Sequence, residues 1–162
     1  MNYAIILSGG IGTRMQMGGF PKQYLEVEKK PILLYTLEQF QKSSAVEKIV
    51  IVAADAWREN IRGWMEEDGI TKFLAFADAG DTRQESIHNG LTVCMEDSVS
   101  ENDGVIIHDS VRPLVSEQLI GDCLAALADH EGCMPVLPMK AVVDPLSAVK
   151  LRSWSTSSSA PG

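Results

Sequence analysis

The sequence predicts a three-layer α/β domain with a mostly parallel sheet, and three observations predict it. Short apolar runs alternate with segments of helical periodicity along most of the chain. The runs are continuous, as in Lys48-Ile49-Val50-Ile51-Val52-Ala53, which suits strands covered on both faces. Each run also ends in small or polar residues, so the loops that follow gather at one edge of the sheet.

The elements follow in order. Tyr3-Ala4-Ile5-Ile6-Leu7 is the first strand, running into Ser8 and a glycine-rich loop. Pro31 opens a helix through Ser44, with Leu33, Leu34, Leu37 and Phe40 on one face. Lys48 to Ala53 is the second strand, and Asp55 is the expected N-cap of a helix carrying Trp57, Ile61, Trp64 and Met65. Phe73 to Phe76 forms the third strand. Asp81 or Thr82 then caps a helix whose Ile87, Leu91 and Cys94 or Met95 share a face. Gly104 to His108 is the fourth strand, Ser116 caps a helical segment to about His130, and Cys133 to Leu137 is expected as a fifth strand. No internal repeat is visible, and the length fits one domain with a real core.

Composition narrows the function. Apolar residues make up 45% and charged residues 22%, ordinary for a globular protein. A net charge of −8 with only 14 Lys and Arg excludes a broad basic face, and with it general nucleic-acid binding. An acidic protein that binds a polyanion must concentrate its cations, which singles out Arg14, Lys22, Arg83 and Arg112. The three cysteines, Cys94, Cys123 and Cys133, lack metal-ligand spacing and are expected as buried free thiols. The N-terminal apolar run is too short for a signal peptide or a membrane span, so a cytoplasmic location without membrane contact is expected.

The first loop carries the sharpest signal. Gly9, Gly10 and Gly12 let backbone N–H groups approach an anion, and Arg14 and Lys22 add two fixed positive charges. No Lys-Ser or Lys-Thr pair follows, as a Walker P-loop requires, and Met15 stands where a dinucleotide fingerprint needs its third glycine. Pro21 keeps the loop extended instead. A polyphosphate under attack suits this combination.

Four segments together are similar to the cytidylyltransferase family that makes 4-diphosphocytidyl-2-C-methylerythritol, with a close branch that makes CDP-ribitol. They are Gly9-Gly10-Ile11-Gly12-Thr13-Arg14-Met15, Pro21-Lys22-Gln23-Tyr24-Leu25, Thr82-Arg83-Gln84-Glu85-Ser86 and His108-Asp109-Ser110-Val111-Arg112-Pro113. The match is collinear from Asn2 to about Lys140. The resemblance implies a Rossmann-like nucleotidyltransferase domain over residues 1–150 that transfers CMP from CTP to a sugar-alcohol phosphate and releases pyrophosphate. It implies Arg14 and Lys22 as catalytic cations, with Leu7, Ser8, Gly9, Gly10 and Gly12 around the CTP phosphates. It further implies Asp81, Thr82, Arg83 and Ser86 at the cytidine end and Ser110 near the ribose. Asp109 and Arg112 are implied beside the acceptor, and Asp109 beside a Mg²⁺ ion. The acceptor is 2-C-methyl-D-erythritol 4-phosphate or, nearly equally, D-ribitol 5-phosphate: Ser110-Val111 and the length of the Arg14-to-Lys22 loop lean toward ribitol, the wider family toward methylerythritol.

Plainer readings accompany each motif. His108 at a strand end is expected as a hydrogen-bonded structural histidine. Asp109-Ser110 is also a common turn, Asp81-Thr82 a common helix cap, and Trp57 with Trp64 an ordinary core pair. A nucleotide-binding module without turnover is the alternative to the enzyme. Toward the carboxyl end the resemblance fades: Ala141-Val142-Val143-Asp144-Pro145 departs from the family pattern, and residues 151–162, rich in Ser153, Ser155 and Ser157 to Ser159, are expected as a flexible or non-native tail. The family's later segment supplies a homodimer arm and an acceptor-phosphate clamp. Neither is assigned here, which points to a truncated or altered form.

Overall fold

The computed structural model describes residues 1–10, 20–97 and 99–136. Gly12 and Arg14, the tail at 151–162 and Leu137 lie outside these residues. The main sheet has four parallel strands in the order β5-β4-β1-β6, formed by β1 (Asn2–Leu7), β4 (Lys48–Ala53), β5 (Phe73–Asp78) and β6 (Gly104–Asp109). A short antiparallel hairpin, β2 (Glu26–Val27) with β3 (Lys30–Pro31), stands apart from it. The helices are α1 (Ile32–Lys42), α2 (Asp55–Asp68), α3 (Arg83–Glu96) and α4 (Glu117–Ala126).

Alternation along the strands builds the three layers. Ala4, Ile6, Ile49, Ile51 and Ala53 face one side, where they pack with Leu33, Leu37 and Phe40 of α1, Ile61 and Met65 of α2, and Ile120 of α4. Tyr3, Ile5, Val50 and Val52 face the other side and meet Cys94 of α3. Gly90 explains how closely α3 can approach, since a Cβ there would lie 2.6 Å from Ile5 Cγ2. Tyr3 is fully buried, and its hydroxyl donates to Asp97, which also pairs with Lys48. Burial, reinforced by that carboxylate, pushes the Tyr3 phenol up to about 12.

Three sequence expectations change. Cys133 to Val136 forms no strand among the described residues, and Met134 and Val136 are exposed: an apolar run is no strand until an edge pairs with it. Asp55 is the first residue of α2 rather than its cap; Ala54 occupies the cap position without a side-chain bond. Of the thiols only Cys94 is buried, while Cys123 is half-buried and Cys133 exposed. The caps on the later helices are as expected, Thr82 accepting from the Glu85 N–H and Ser116 from the Leu119 N–H. No helix among the described residues is long and apolar enough to cross a membrane.

Candidate functional site

Strand order determines where a ligand can sit. The chain moves from β1 outward to β4 and β5, then returns across β1 to β6, so the direction of winding reverses between β1 and β6. Crevices beyond the carboxyl ends of strands at such a reversal are the ligand sites of open parallel sheets. Register sets the strand ends side by side: Leu7 is opposite Val52 on one side and Asp109 on the other, and Ala53 is opposite Asp78. The loops after β1, β5 and β6 therefore share one edge.

The loop after β1 is held by backbone and buried polar groups. The Ser8 N–H donates to the Val52 carbonyl at 2.8 Å, and Ser8 is buried. Gly9 leaves no room for a side chain, because a Cβ would lie 2.4 Å from the Ala79 Cβ in the loop after β5. Gly10 is different: a Cβ there meets nothing within 4 Å among the described residues. Gly9 is thus required by packing, whereas no described neighbour crowds Gly10.

Lys22 stands on a platform built by its neighbours. Lys22–Tyr24 is a single 3-10 turn after buried Pro21, with Lys22 exposed and Gln23 and Tyr24 buried. Tyr24 tilts against Trp57 at 4.3 Å between ring centroids, and Phe20 meets the same indole edge-on at 5.4 Å. Trp57 and Trp64 are the half-buried core pair expected, and they support this turn. The Gln23 amide donates to the carbonyls of Ser8 and Gly10 at 2.8 and 2.9 Å, and the Tyr24 hydroxyl to that of Ser8 at 3.2 Å. Burial raises the Tyr24 phenol, partly offset by its bonds to Ser8 and Gln23. Lys22 makes no ion pair among the described residues.

The other two loops meet at a carboxylate. Asp109, ending β6, accepts from Arg112 Nε at 2.9 Å and from an Arg83 guanidinium nitrogen at 3.3 Å. Partial burial pushes the Asp109 pKa up, but the Arg112 bond and the Arg83 charge together outweigh it and leave it lowered. Ser110 is buried; its N–H donates to the Leu7 carbonyl at 3.1 Å, and its own carbonyl accepts from the Thr36 hydroxyl at 2.7 Å. Ser86 accepts from the Gly80 N–H at 3.0 Å, and the Glu85 carboxylate accepts from the Asp81 N–H at 2.8 Å, leaving Asp81, Thr82 and Arg83 exposed. The structure thus brings Arg83, Asp109 and Arg112 into direct contact. No bond or ion pair joins Lys22 to them among the described residues, and the two groups are linked through Ser110 N–H to Leu7.

His108 is outside this arrangement. Its ring lies edge-on to Phe40 at 5.0 Å, and its buried Nδ1 has no hydrogen-bond partner among the described residues, in contrast to the bonded histidine expected. Burial lowers its pKa, so it is held neutral. A mainly apolar cleft of about 990 Å³ runs along β6 and α4 between His108, Leu119 and Cys123, and touches the strand-end cluster only at Arg112. For a metal, Asp109 is the hard oxygen donor of the cluster; no group of three or more His, Cys, Asp or Glu side chains converges among the described residues. That donor set cannot cage a cation alone, but suits one carried in by a polyphosphate. Gln23, Thr36 and Tyr24 are the polar anchors that sequence reasoning missed, since their partners are backbone carbonyls distant in sequence.

Similarity to known proteins agrees with this geometry. Residues 2–154 match the IspD family, 2-C-methyl-D-erythritol 4-phosphate cytidylyltransferase. A ribitol-5-phosphate cytidylyltransferase of Vibrio parahaemolyticus is 38% identical over 85% of this chain and 58% of its own length. A 2-C-methyl-D-erythritol 4-phosphate cytidylyltransferase of Rubrobacter xylanophilus is 40% identical over 84% of this chain and 55% of its own length. The 4-diphosphocytidyl-2C-methyl-D-erythritol synthase structure from Anaerococcus prevotii superposes with a TM-score of 0.61 at 24% identity, over 79% of this chain and 51% of that one, and shares the fold. The chain spans a little over half the length of these two curated relatives.

Proposed function

The chain belongs to the 2-C-methyl-D-erythritol 4-phosphate cytidylyltransferase family, and on that premise we propose that it binds CTP at the β1–β6 edge and transfers CMP to a sugar-alcohol phosphate. The observation that carries this reading is the platform under Lys22, a cation without an ion pair among the described residues, tied through Gln23 to the glycine loop at the reversal point of a parallel sheet. An oxygen of the acceptor phosphate attacks the α-phosphorus of CTP. The bond from that phosphorus to the bridging oxygen breaks, and pyrophosphate leaves with the electron pair. The acceptor phosphate is already ionised at neutral pH, so no general base is needed, and a neutral, packed His108 is compatible with that.

Negative charge grows on the α-phosphoryl oxygens and the leaving group, where fixed donors stabilise the transition state more than the ground state. Lys22 supplies a compact point charge; Arg14, in the same loop, supplies a planar fork able to hold two phosphate oxygens. A Mg²⁺ ion, held chiefly by the triphosphate with Asp109 nearby, would neutralise part of the polyphosphate charge. The backbone from Asp81 to Ser86 reads the cytosine, and Ser110 lies against the ribose. Arg112 attracts the acceptor, either D-ribitol 5-phosphate or 2-C-methyl-D-erythritol 4-phosphate.

The test is pyrophosphate release from CTP and Mg²⁺ with each acceptor in turn. Formation of a CDP-alcohol with one of them is the expected result. CTP binding without any CDP-alcohol, in this chain and in a full-length relative assayed beside it, would reduce the reading to a nucleotide-binding module.

A further inference from the structure

We propose that Gln23 is a positioning residue of the nucleotide site, joining the Lys22 turn to the glycine loop so that ammonium and backbone donors present one fixed surface to the triphosphate; this rests on the cytidylyl-transfer reading above. Gln23 is 3% exposed, and its amide nitrogen reaches the carbonyls of Ser8 at 2.8 Å and Gly10 at 2.9 Å. Two acceptors at one amide end assign that end as NH₂, with both hydrogens in use. A trans peptide is planar and its N–H lies opposite its C=O. Turning the Ser8 carbonyl onto Gln23 therefore turns the Gly9 N–H away from it. Neither Gly9 nor Gly10 N–H has a partner among the described residues, which leaves no described group competing with a phosphate for them.

The same residue sits next to Lys22 in a turn only three residues long. Movement of the glycine loop relative to Lys22 would break one buried and one part-buried hydrogen bond and leave the buried Gln23 amide without acceptors, which is unfavourable. Tyr24 adds a third contact, to Ser8. Among the described residues, Gln23 is the side chain that bonds both Ser8 and Gly10.

The experiment compares parent, Gln23→Met and Gln23→Glu by hydrogen exchange, CTP calorimetry and turnover. Gln23→Met keeps the shape but has no donor. Its Ser8 amide, bonded to the Val52 carbonyl, is expected to exchange at least about tenfold faster while the amides of β4 stay unchanged, and its kcat to fall more than its KM for CTP rises. Gln23→Glu at neutral pH places a carboxylate against two carbonyls and should behave similarly. As pH falls, its carboxyl gains a proton and can donate again, so turnover should recover toward acid in a profile the parent lacks. Equal exchange at Ser8, or faster exchange spread evenly through the sheet, overturns the proposal, as does an unshifted pH profile with parent-like kcat. If the parent binds no CTP, the nucleotide reading fails by itself, and the exchange comparison still decides whether Gln23 holds the loop.

Discussion

Lys22 and the Arg83–Asp109–Arg112 cluster place positive charge at the same sheet edge by opposite means. Lys22 is unpaired among the described residues and rides on buried neighbours, its turn fixed by Gln23, Tyr24 and the Trp57 face. The two arginines are exposed and share one carboxylate, which already answers much of their charge. Exposed pairs of that kind contribute only about 0–1 kcal/mol and are screened by salt. The proposed function gives the two regions different roles. A preorganised cation can stabilise a charge that appears only in the transition state, whereas a pair held by a carboxylate can exchange that partner for an arriving phosphate.

The sharpest way to break this comparison is Lys22→Ala. Turnover should fall by roughly 10²–10³, the range for one lost preorganised donor, with CTP binding weakened far less. Near-normal kcat in a pyrophosphate-release assay would remove Lys22 from the chemistry. The packing side of the contrast is tested next, by urea unfolding of two glycine variants. Gly9→Ala drives a methyl into Ala79 and should cost about 1–3 kcal/mol. Gly10→Ala meets nothing among the described residues and should stay within about 0.5 kcal/mol, so equal losses would contradict the assignment of packing to Gly9 and not to Gly10. The arginine side is expected to respond most mildly. Arg112→Ala should raise the acceptor KM by about tenfold at low ionic strength, less in high salt, with kcat nearly kept. A kcat loss as large as that of Lys22→Ala would erase the distinction between the regions.

The legible parts of the molecule were those with a periodic cause. β1, β4 and β6 announced themselves as runs rich in Ile and Val, β5 as a short aromatic and aliphatic run, and Thr82 and Ser116 as hydroxyl caps before helical patterns. The convergence of the loops at Ser8, Asp81 to Ser86 and Asp109 followed from strand alternation alone. The hairpin from Glu26 to Pro31 carried no such mark: its turn places Glu28 and Lys29 at φ 52° and 67°, positions normally flagged by Asn or Gly. Gln23 was equally silent, since a buried glutamine is recognised by the carbonyls it meets, and those depend on how the loop closes. Cys133 to Val136 misled in the other direction, apolar enough for a strand but unpaired among the described residues.

The claim beneath all of this is that the strand-end loops form a site for cytidine triphosphate. Calorimetric titration of the chain with CTP and with UTP, each with Mg²⁺, tests it most directly. Cytosine offers an amino donor where uracil has a carbonyl, so backbone acceptors in the Asp81–Ser86 segment should favour CTP by at least about tenfold, because UTP leaves a buried acceptor unpaired. Absence of CTP binding, or equal affinity for the two nucleotides, would contradict it.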